Sequence, residues 1–594
     1  MRLRYLHLQN YPPISDIKVR FASGSPLARN CAIRFVVGLN GSGKSNLLRA
    51  IAEVFLALAD MRVPPFPVTL FYELGARSSK SHRTLLLHSP GDRSRASLWI
   101  YERFAYDDQD RQEVFEQCIE HLNMNGQPDN PGFTALITPG NWTVRNSSAP
   151  LIGLPSAVLA YTTGELRPWR SIWARNQDGL GMFEGGESET GLEDERPAGW
   201  TAAEEAALQA ARQLTTDVGV SASERKTPLS ETYRRPILVD ATLLKCALLA
   251  VALPQSLKTP TDEYGQFLGM LSDDEKNDLQ ELLERGSWHH LVSIGFRTRL
   301  QAANWDRKLC ETANDWWLSA GEVIATPHPL EQRRTLFFDL KGAFSGMDVT
   351  LRSGARDSLA TCTTQGEALW TLLGGKDSTA FELFARLMEL NQAGLFDDLL
   401  LRLRCQVAPV PDSEGVYKDA GVLRYEELSD GEQMVLGRMA LFHLLSAQQD
   451  ALLLLDEPET HFNDKWKREI VDIIDAAIGN TANDVLISTH SAIVLSDVFS
   501  DEIVMVERAA DGSGVQPVSE NTFATDPSAL MMNVFGADDS IGKRAQQFIE
   551  DKLRHATGTP EEIADLERLI NRMGSGFYRS ELRTLLNTWR GRSA

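Results

Sequence analysis

Eight residues near the start of the chain, Gly38-Leu39-Asn40-Gly41-Ser42-Gly43-Lys44-Ser45, interleave glycine with polar side chains and close on a lysine and a hydroxyl. The run ahead of them, Arg34-Phe35-Val36-Val37, is apolar and of strand type, and Asn46 to Leu56 behind them has helical spacing. In a strand–loop–helix setting, glycine lets backbone N–H groups turn inward toward phosphate oxygens, and the helix start adds a partial positive charge. Lys44 can then reach the β- and γ-phosphates of a nucleotide, and the Ser45 hydroxyl can ligate Mg²⁺. A chance glycine-rich turn would explain the glycines. It would not explain the strand before them, the helix after them and the Lys-Ser pair together.

Two further segments supply what phosphate chemistry requires. Leu452-Leu453-Leu454-Leu455 leads into Asp456-Glu457-Pro458, which reads as a buried parallel strand delivering two acids at its carboxyl end. Asp456 would hold Mg²⁺, and Glu457 would orient and polarise the attacking water. Val485-Leu486-Ile487-Ser488-Thr489 reads as another strand, and His490 at its end suits a γ-phosphate sensor. Phosphoryl transfer is mostly positioning and charge neutralisation, so a metal, a lysine, a base and a sensor nearly complete the requirement.

A fourth segment, Leu428-Ser429-Asp430-Gly431-Glu432-Gln433, joins these in a fixed order along the chain. With Asn40 and Asn46 in the loop, the set resembles the ABC-type ATPase heads, and most closely the RecF, SMC and OLD branch. The opening strand, the Asn10-Tyr11 turn and Ile17 to Phe21 resemble that branch as well. The resemblance implies ATP and Mg²⁺ as ligands, bound by Gly38, Asn40, Gly41, Ser42, Gly43, Lys44, Ser45 and Asn46. It also implies that Ser429, Gly431 and Glu432 serve the nucleotide of a second copy, so that ATP is sandwiched in a homodimer or higher homo-oligomer. Glu459, Thr460, His461 and Asn463 occupy the place of the loop that communicates between the two sites. A glutamine that senses the metal is unassigned, with Gln109, Gln112, Gln117 and Gln127 as alternatives.

A narrower resemblance rests on Leu159-Ala160-Tyr161-Thr162-Thr163-Gly164-Glu165, Asn521 to Pro527, Val534-Phe535-Gly536 and Ser540-Ile541-Gly542-Lys543-Arg544. These are similar to restriction-system-associated AAA-type ATPases and to the Septu (PtuA-like) defence ATPases, which are encoded beside nucleases in bacterial anti-phage loci. The implied role is an ATPase subunit that dimerises on ATP and controls a nuclease effector, HNH-type or other. A RecF-like repair ATPase binding duplex DNA directly is the alternative, and a slow-turnover scaffold or sensor a third. Cutting chemistry is not expected from this chain. Glu507 follows a strand-like run, but Asp538 and Asp539 are adjacent rather than alternating, and His289-His290 lacks an HNH-like setting.

Composition narrows the class. The chain has 594 residues, 43% hydrophobic and 24% charged, room for two or three ordinary globular domains. No apolar run approaches the ~20 residues that span a bilayer, and the start lacks a basic-then-apolar signal pattern, so a cytoplasmic protein is expected. Six cysteines, at 31, 118, 246, 310, 362 and 405, form no CxxC pair and read as reduced thiols. A net charge of −21 argues against a surface coated for DNA. Local basic stretches remain as DNA candidates: Arg77, Lys80, His82, Arg83, Arg93 and Arg95, then Lys465, Lys467 and Arg468, then Arg583, Arg590 and Arg592.

The elements that must hold these groups follow from the wide separation of Lys44 and Ser429. The expected fold is α/β, a P-loop NTPase of ABC-head type with two lobes, a mixed sheet, a large mainly helical insertion and a C-terminal helical appendix. Residues 1–183 read as the lobe with the phosphate loop, 184–200 as an acidic mobile loop, and 201–405 as the insertion. Residues 406–508 read as the lobe with the signature, the acid pair and the histidine, and 509–594 as the appendix, a candidate docking element. Prolines at 228, 236, 254, 260, 327 and 329 exclude a long coiled coil in the insertion. Ser272-Asp273-Asp274-Glu275 spells a capping box within it.

Overall fold

The computed structural model describes residues 1–21, 30–60, 62–75, 82–91, 96–101, 133–137, 153–177, 235–258, 288–299, 307–326, 333–346, 356–405, 421–509, 512–518, 520–537, 541–554, 557–574 and 577–593. In chain order the first elements are β1 (Arg2–Tyr11), β2 (Ile14–Arg20), β3 (Ala32–Val37), α1 (Lys44–Ala59), β4 (Pro67–Leu74), β5 (Arg83–Pro90), β6 (Ser97–Tyr101), β7 (Phe133–Ile137), β8 (Ala157–Thr162) and α2 (Arg167–Gln177). Next come β9 (Ile237–Val239), α3 (Ala241–Lys258), β10 (Trp288–Arg299), α4 (Arg307–Ser319), β11 (Glu322–Thr326), β12 (Arg333–Asp339), α5 (Arg356–Leu359), α6 (Gln365–Leu372), α7 (Ala380–Gln392), β13 (Asp398–Cys405) and β14 (Val422–Arg424). The second lobe adds α8 (Asp430–Leu444), β15 (Ala451–Asp456), α9 (Asp464–Ile478), β16 (Asp484–Thr489), α10 (Ala492–Leu495), β17 (Ile503–Ala509) and β18 (Gly512–Gln516).

The sheet that carries the chemistry has the order β18-β17-β3-β16-β15-β8-β9. From β17 to β9 every neighbouring pair is parallel, and only the edge strand β18 runs against its partner. The central strands read as unbroken apolar runs because both faces are covered. Register does the rest: Ser488 on β16 stands opposite Asp456 on β15 and opposite Val36 on β3, and Thr162 on β8 stands opposite Asp456. Four strands therefore end level, at the edge where the glycine loop leaves β3.

A second sheet, β2-β1-β4-β5-β6-β7, is antiparallel throughout. Helix α1 is buried around most of its circumference, as its apolar residues on all sides require. Leu47, Leu48, Ile51, Val54, Phe55 and Leu58 share one core with Leu6 and Leu70 of the antiparallel sheet and with Leu454 and Leu486 of the parallel one. Each such side chain contributes roughly 1.5–3 kcal/mol on burial. The loop at the start of α1 thus sits on a rigid base.

The insertion holds the helices α3 to α7 and also an antiparallel sheet, β11-β12-β10-β13-β14. Two of its strands, β12 and β13, carry apolar runs visible in the sequence, Leu336 to Leu340 and Leu399 to Leu403. Strand β10 is not visible in this way, because it carries His289, Ser293, Gly295 and the Arg297-Thr298-Arg299 end among its apolar residues. The limits differ from 201–405: β14 lies beyond residue 405, and β9 joins the parallel sheet. Helix α3 is long and apolar enough to cross a bilayer by length and composition, yet Leu243, Leu244, Leu248, Leu249 and Leu253 are buried within the protein, where α3 packs on α7, α8 and β10. The acidic stretch 184–200, the spelled capping box at 272–275 and the four glutamines lie outside the described residues.

At the other end the core sheet continues past residue 508 through β18, and the first compact unit runs from Met1 to Ala524. The second unit, Thr525–Ala594, comprises α11 (Pro527–Asn533), α12 (Lys543–Leu553), α13 (Pro560–Arg572) and α14 (Phe577–Ser593). Its core is Ile549, Leu566, Ile570, Leu582, Leu586 and Trp589. Thr559 and Glu562 form a capping box that starts α13.

Candidate active site

The glycine loop wraps the start of α1. Gly43 occupies the N-cap position at φ 107°, a left-handed conformation that glycine adopts without a Cβ penalty. Gly38 leaves β3 so close to its neighbour strand that a Cβ there would lie 2.1 Å from the Val506 carbonyl oxygen. Among the described residues no side chain caps α1, and its first turn has no acid, so its leading N–H groups face the loop. The Lys44 ammonium is buried and donates to the carbonyls of Gly38 at 2.8 Å and Leu39 at 3.2 Å. Burial pulls its pKa below the usual lysine range, opposed by the charges of Glu457, Asp456 and Glu459.

Asp456 is a buried acceptor of three hydroxyls. Ser45 Oγ donates to its Oδ1 at 2.8 Å, Ser488 Oγ to the same oxygen at 2.6 Å, and Thr162 Oγ1 to Oδ2 at 3.0 Å. A hydroxyl and a carboxylate in contact at the end of an uncapped helix are hard oxygen donors of the kind Mg²⁺ takes beside phosphate oxygens. The residues present therefore fit Mg²⁺ with a polyphosphate, held by Ser45 and Asp456.

Glu457 follows at φ 51°, a strained setting for a residue with a Cβ, costing about 1–3 kcal/mol. Its N–H is fixed by the Ser488 carbonyl at 3.0 Å and by Ser488 Oγ at 3.1 Å. The turn aims the carboxylate at His490, whose Nδ1 lies 3.2 Å from Glu457 Oε1. Both side chains keep access to solvent. Below them Glu459 is 2% exposed, and its carboxylate accepts the Thr489 hydroxyl, which in turn accepts the Ser491 N–H at 3.0 Å. Burial pushes the Glu459 carboxyl above the usual carboxylate range.

Ser429 is the N-cap of α8, in a reciprocal capping box with Glu432. Its Oγ and N–H both donate to Glu432 Oε2, at 2.8 and 2.9 Å, and Ser429, Asp430 and Glu432 are exposed. Gly431 is half-buried, close to the His461 carbonyl. Further along α8, Arg438 is fully buried against the segment after Glu457.

The structure thus brings Lys44, Ser45, Asp456, Glu457 and His490 to one sheet edge, with Ser42 and Gly43 buried beneath and Asn40 and Gly41 exposed at the rim. Asn46 is half-buried and accepts from Arg49. Sequence reading gave no role to Thr162, Ser488, Thr489 or Arg438. A lone arginine inside the apolar run Met434 to Phe442 was the available signal for Arg438. Of the first basic stretch only His82 and Arg83 are described, and His82 is buried with Nδ1 3.1 Å from the Gly75 carbonyl oxygen. Lys465 and Arg468 are exposed on α9.

Residues 312–497 match a family model described as "AAA domain, putative AbiEii toxin, Type IV TA system". The match takes in the signature, the acid pair and His490, and begins after the glycine loop. No curated protein matches the chain. Among solved structures, the SMC head domain from Thermotoga maritima is similar at 11% identity, with 88% of this chain and 100% of that one covered and a TM-score of 0.28. The Smc head with an extended coiled coil bound to the C-terminal domain of ScpA, from Pyrococcus furiosus, is similar at 12% identity over 87% of this chain and 96% of that one, with a TM-score of 0.28. A SmcHead bound to the C-winged helix domain of ScpA gives 11%, 87%, 98% and 0.30 for the same quantities. Residues 312–497 are thus similar to an AAA domain, and the structure sets the glycine loop, the two acids and the histidine together at one sheet edge, an arrangement suited to a nucleotide phosphate.

Proposed function

We propose that this chain binds Mg²⁺-ATP on the loop between β3 and α1 and hydrolyses it, with a second copy completing the site through Ser429 and Gly431. The observation that carries the reading is the Glu457–His490 contact, one residue beyond a carboxylate that already holds the Ser45 hydroxyl. When bound, Mg²⁺ would neutralise phosphate charge. Lys44 and the N–H groups at the head of α1 hold the phosphates in place and stabilise their charge. Glu457 takes the proton of the attacking water, and His490 orients that carboxylate through Nδ1.

The exposed signature fits a composite site, because a hydroxyl at a helix start facing solvent is open to a partner's ligand. Closing two such sites stabilises a dimer when ATP is present and releases it after hydrolysis, a population shift driven by the nucleotide. The further role is control of a nuclease effector in anti-phage defence. It is supported by the segments around Tyr161 and Asn521 and by the toxin–antitoxin description of the matching domain.

Glu457→Gln tests the chemistry. Turnover should fall by about 10²–10⁴-fold, the usual contribution of a general base, while ATP is retained and the protein accumulates as a closed dimer in light scattering. Full turnover in that variant would remove Glu457 from its role. For the defence reading, co-expression with a nuclease encoded next to this gene should give a complex whose DNA cleavage depends on ATP. A nuclease indifferent to this chain and to nucleotide would refute it.

A further inference from the structure

Two buried hydroxyls hold the Asp456 carboxylate, and neither has a proton to spare. Thr162 Oγ1 accepts the Gly164 N–H at 3.0 Å, which leaves its own proton for Asp456 Oδ2, also at 3.0 Å. Ser488 Oγ accepts the Glu457 N–H at 3.1 Å, which leaves its proton for Asp456 Oδ1 at 2.6 Å. A hydroxyl carries one proton and an ionised carboxylate can only accept, so each of these bonds has a single direction. Ser45 differs. Among the described residues its hydroxyl has no hydrogen bond but the one to Asp456 Oδ1, and it is free to turn to a ligand.

The grip comes from both neighbouring strands. Thr162 stands opposite Asp456 on β8, Ser488 stands opposite it on β16, and the Thr163 N–H donates to the Asp456 carbonyl at 3.2 Å. Thr162, Asp456 and Ser488 are all buried. Side chains packed between paired strands have little room to shift. The carboxylate, bound on each oxygen, cannot rotate about its Cβ–Cγ bond without leaving a buried polar group unpaired.

That fixed orientation bears on the choice of cation. Ca²⁺ takes about 6–8 oxygens and readily accepts both oxygens of one carboxylate, whereas Mg²⁺ is smaller and demands a near-ideal octahedron. We propose that Thr162 and Ser488 set the cation preference of this site. They keep Asp456 from turning both oxygens toward one cation, which disfavours Ca²⁺ and suits Mg²⁺. Both are positioning residues, acting through Asp456. The inference rests on the nucleotide-binding reading above and adds a selectivity that lies outside the glycine loop and the acid pair.

The test is binding of a fluorescent ADP analogue, which is not turned over, in Mg²⁺, in Ca²⁺ and in EDTA. Thr162→Val keeps the shape and removes one donor, Ser488→Ala removes the other, and Thr162→Ser restores the first hydroxyl. Melting curves establish that each variant is folded. The wild-type protein should bind the analogue more tightly in Mg²⁺ than in Ca²⁺. In Thr162→Val and in Ser488→Ala that ratio should narrow by about 10–100-fold, the usual cost of removing a group that orients a metal ligand. Affinity in EDTA should stay unchanged, and Thr162→Ser should keep the wild-type ratio.

A loss of equal size in Mg²⁺, Ca²⁺ and EDTA would make the two hydroxyls general props of the loop and overturn the proposal. An unchanged ratio in both Thr162→Val and Ser488→Ala would overturn it too, while leaving the nucleotide reading in place. Should the wild-type protein bind the analogue no better in Mg²⁺ than in EDTA, the metal-and-nucleotide reading falls first and takes the selectivity with it.

Discussion

Ser45 lies in the first turn of α1 and Asp456 ends β15, two strands away from β3, yet the serine hydroxyl reaches the carboxylate at 2.8 Å. The contact depends on β16 lying between the two strands with Ser488 level with both Asp456 and Val36. Asp456→Asn keeps the shape and removes the charge. It should weaken Mg²⁺-dependent ATP binding at least about tenfold, roughly 1.4 kcal/mol, while binding in EDTA is unchanged. Titration of a fluorescent ATP analogue with and without Mg²⁺ measures both, and an unaltered Mg²⁺ dependence would take Asp456 out of the metal site.

Ser429 stands exposed at the start of α8, where a large cation should block any partner's nucleotide from docking. Ser429→Arg should abolish turnover while the separate chain still binds ATP. Mixing it with a Lys44→Ala chain should restore activity, since one of the two composite sites is then intact. Absence of any rescue, with both chains folded and able to associate, would refute cross-subunit use of the signature.

The residues proposed to bind phosphate stand out in the sequence because that chemistry would restrict them to few types at fixed local spacing. Gly38 to Ser45 and Leu452 to Glu457 announce a loop and a strand end without any long-range information. What fastens them was not legible. Thr162 and Ser488 are ordinary residues until register brings them level with Asp456, and register is a property of paired strands rather than of either one. Arg438 is one arginine among many until it is seen to be fully buried. The sheet β11-β12-β10-β13-β14 was half visible for a similar reason, since its strands pair over long separations and β10 mixes polar with apolar residues.

Beneath the parallel sheet, Arg34 on β3 and Asp484 on β16 form a buried pair, with Nη1 at 2.7 and 3.0 Å from the two carboxylate oxygens. Asp484 Oδ2 also accepts the Leu3 N–H at 2.6 Å, tying β1 to the strand that His490 follows. Asp484→Ala leaves a buried guanidinium without its counter-ion and should destabilise the first unit by about 3–5 kcal/mol. Replacing both partners by apolar residues of similar volume should cost much less. Urea unfolding measures both changes, and a loss under about 1 kcal/mol for Asp484→Ala would mean that the pair does not hold the sheet.

His290 on β10 gives the fold a pH dependence whose direction is fixed by its surroundings. Burial lowers its pKa from the usual 6.5 to about 4, and Arg404, His289 and Lys341 add to the effect. Between those values the unfolded chain carries a proton on this imidazole and the folded chain does not, so stability falls as pH drops from roughly 6.5 toward 4. At pH 5 the loss from this group should be about 2 kcal/mol relative to neutral pH, given about 1.4 kcal/mol per pH unit. His290→Gln removes the term. The difference in unfolding free energy between pH 7 and pH 5 should therefore be smaller in the variant by about that amount. Equal pH dependence in the two proteins, measured by urea unfolding at both pH values, would show that the folded state accepts the proton at no cost.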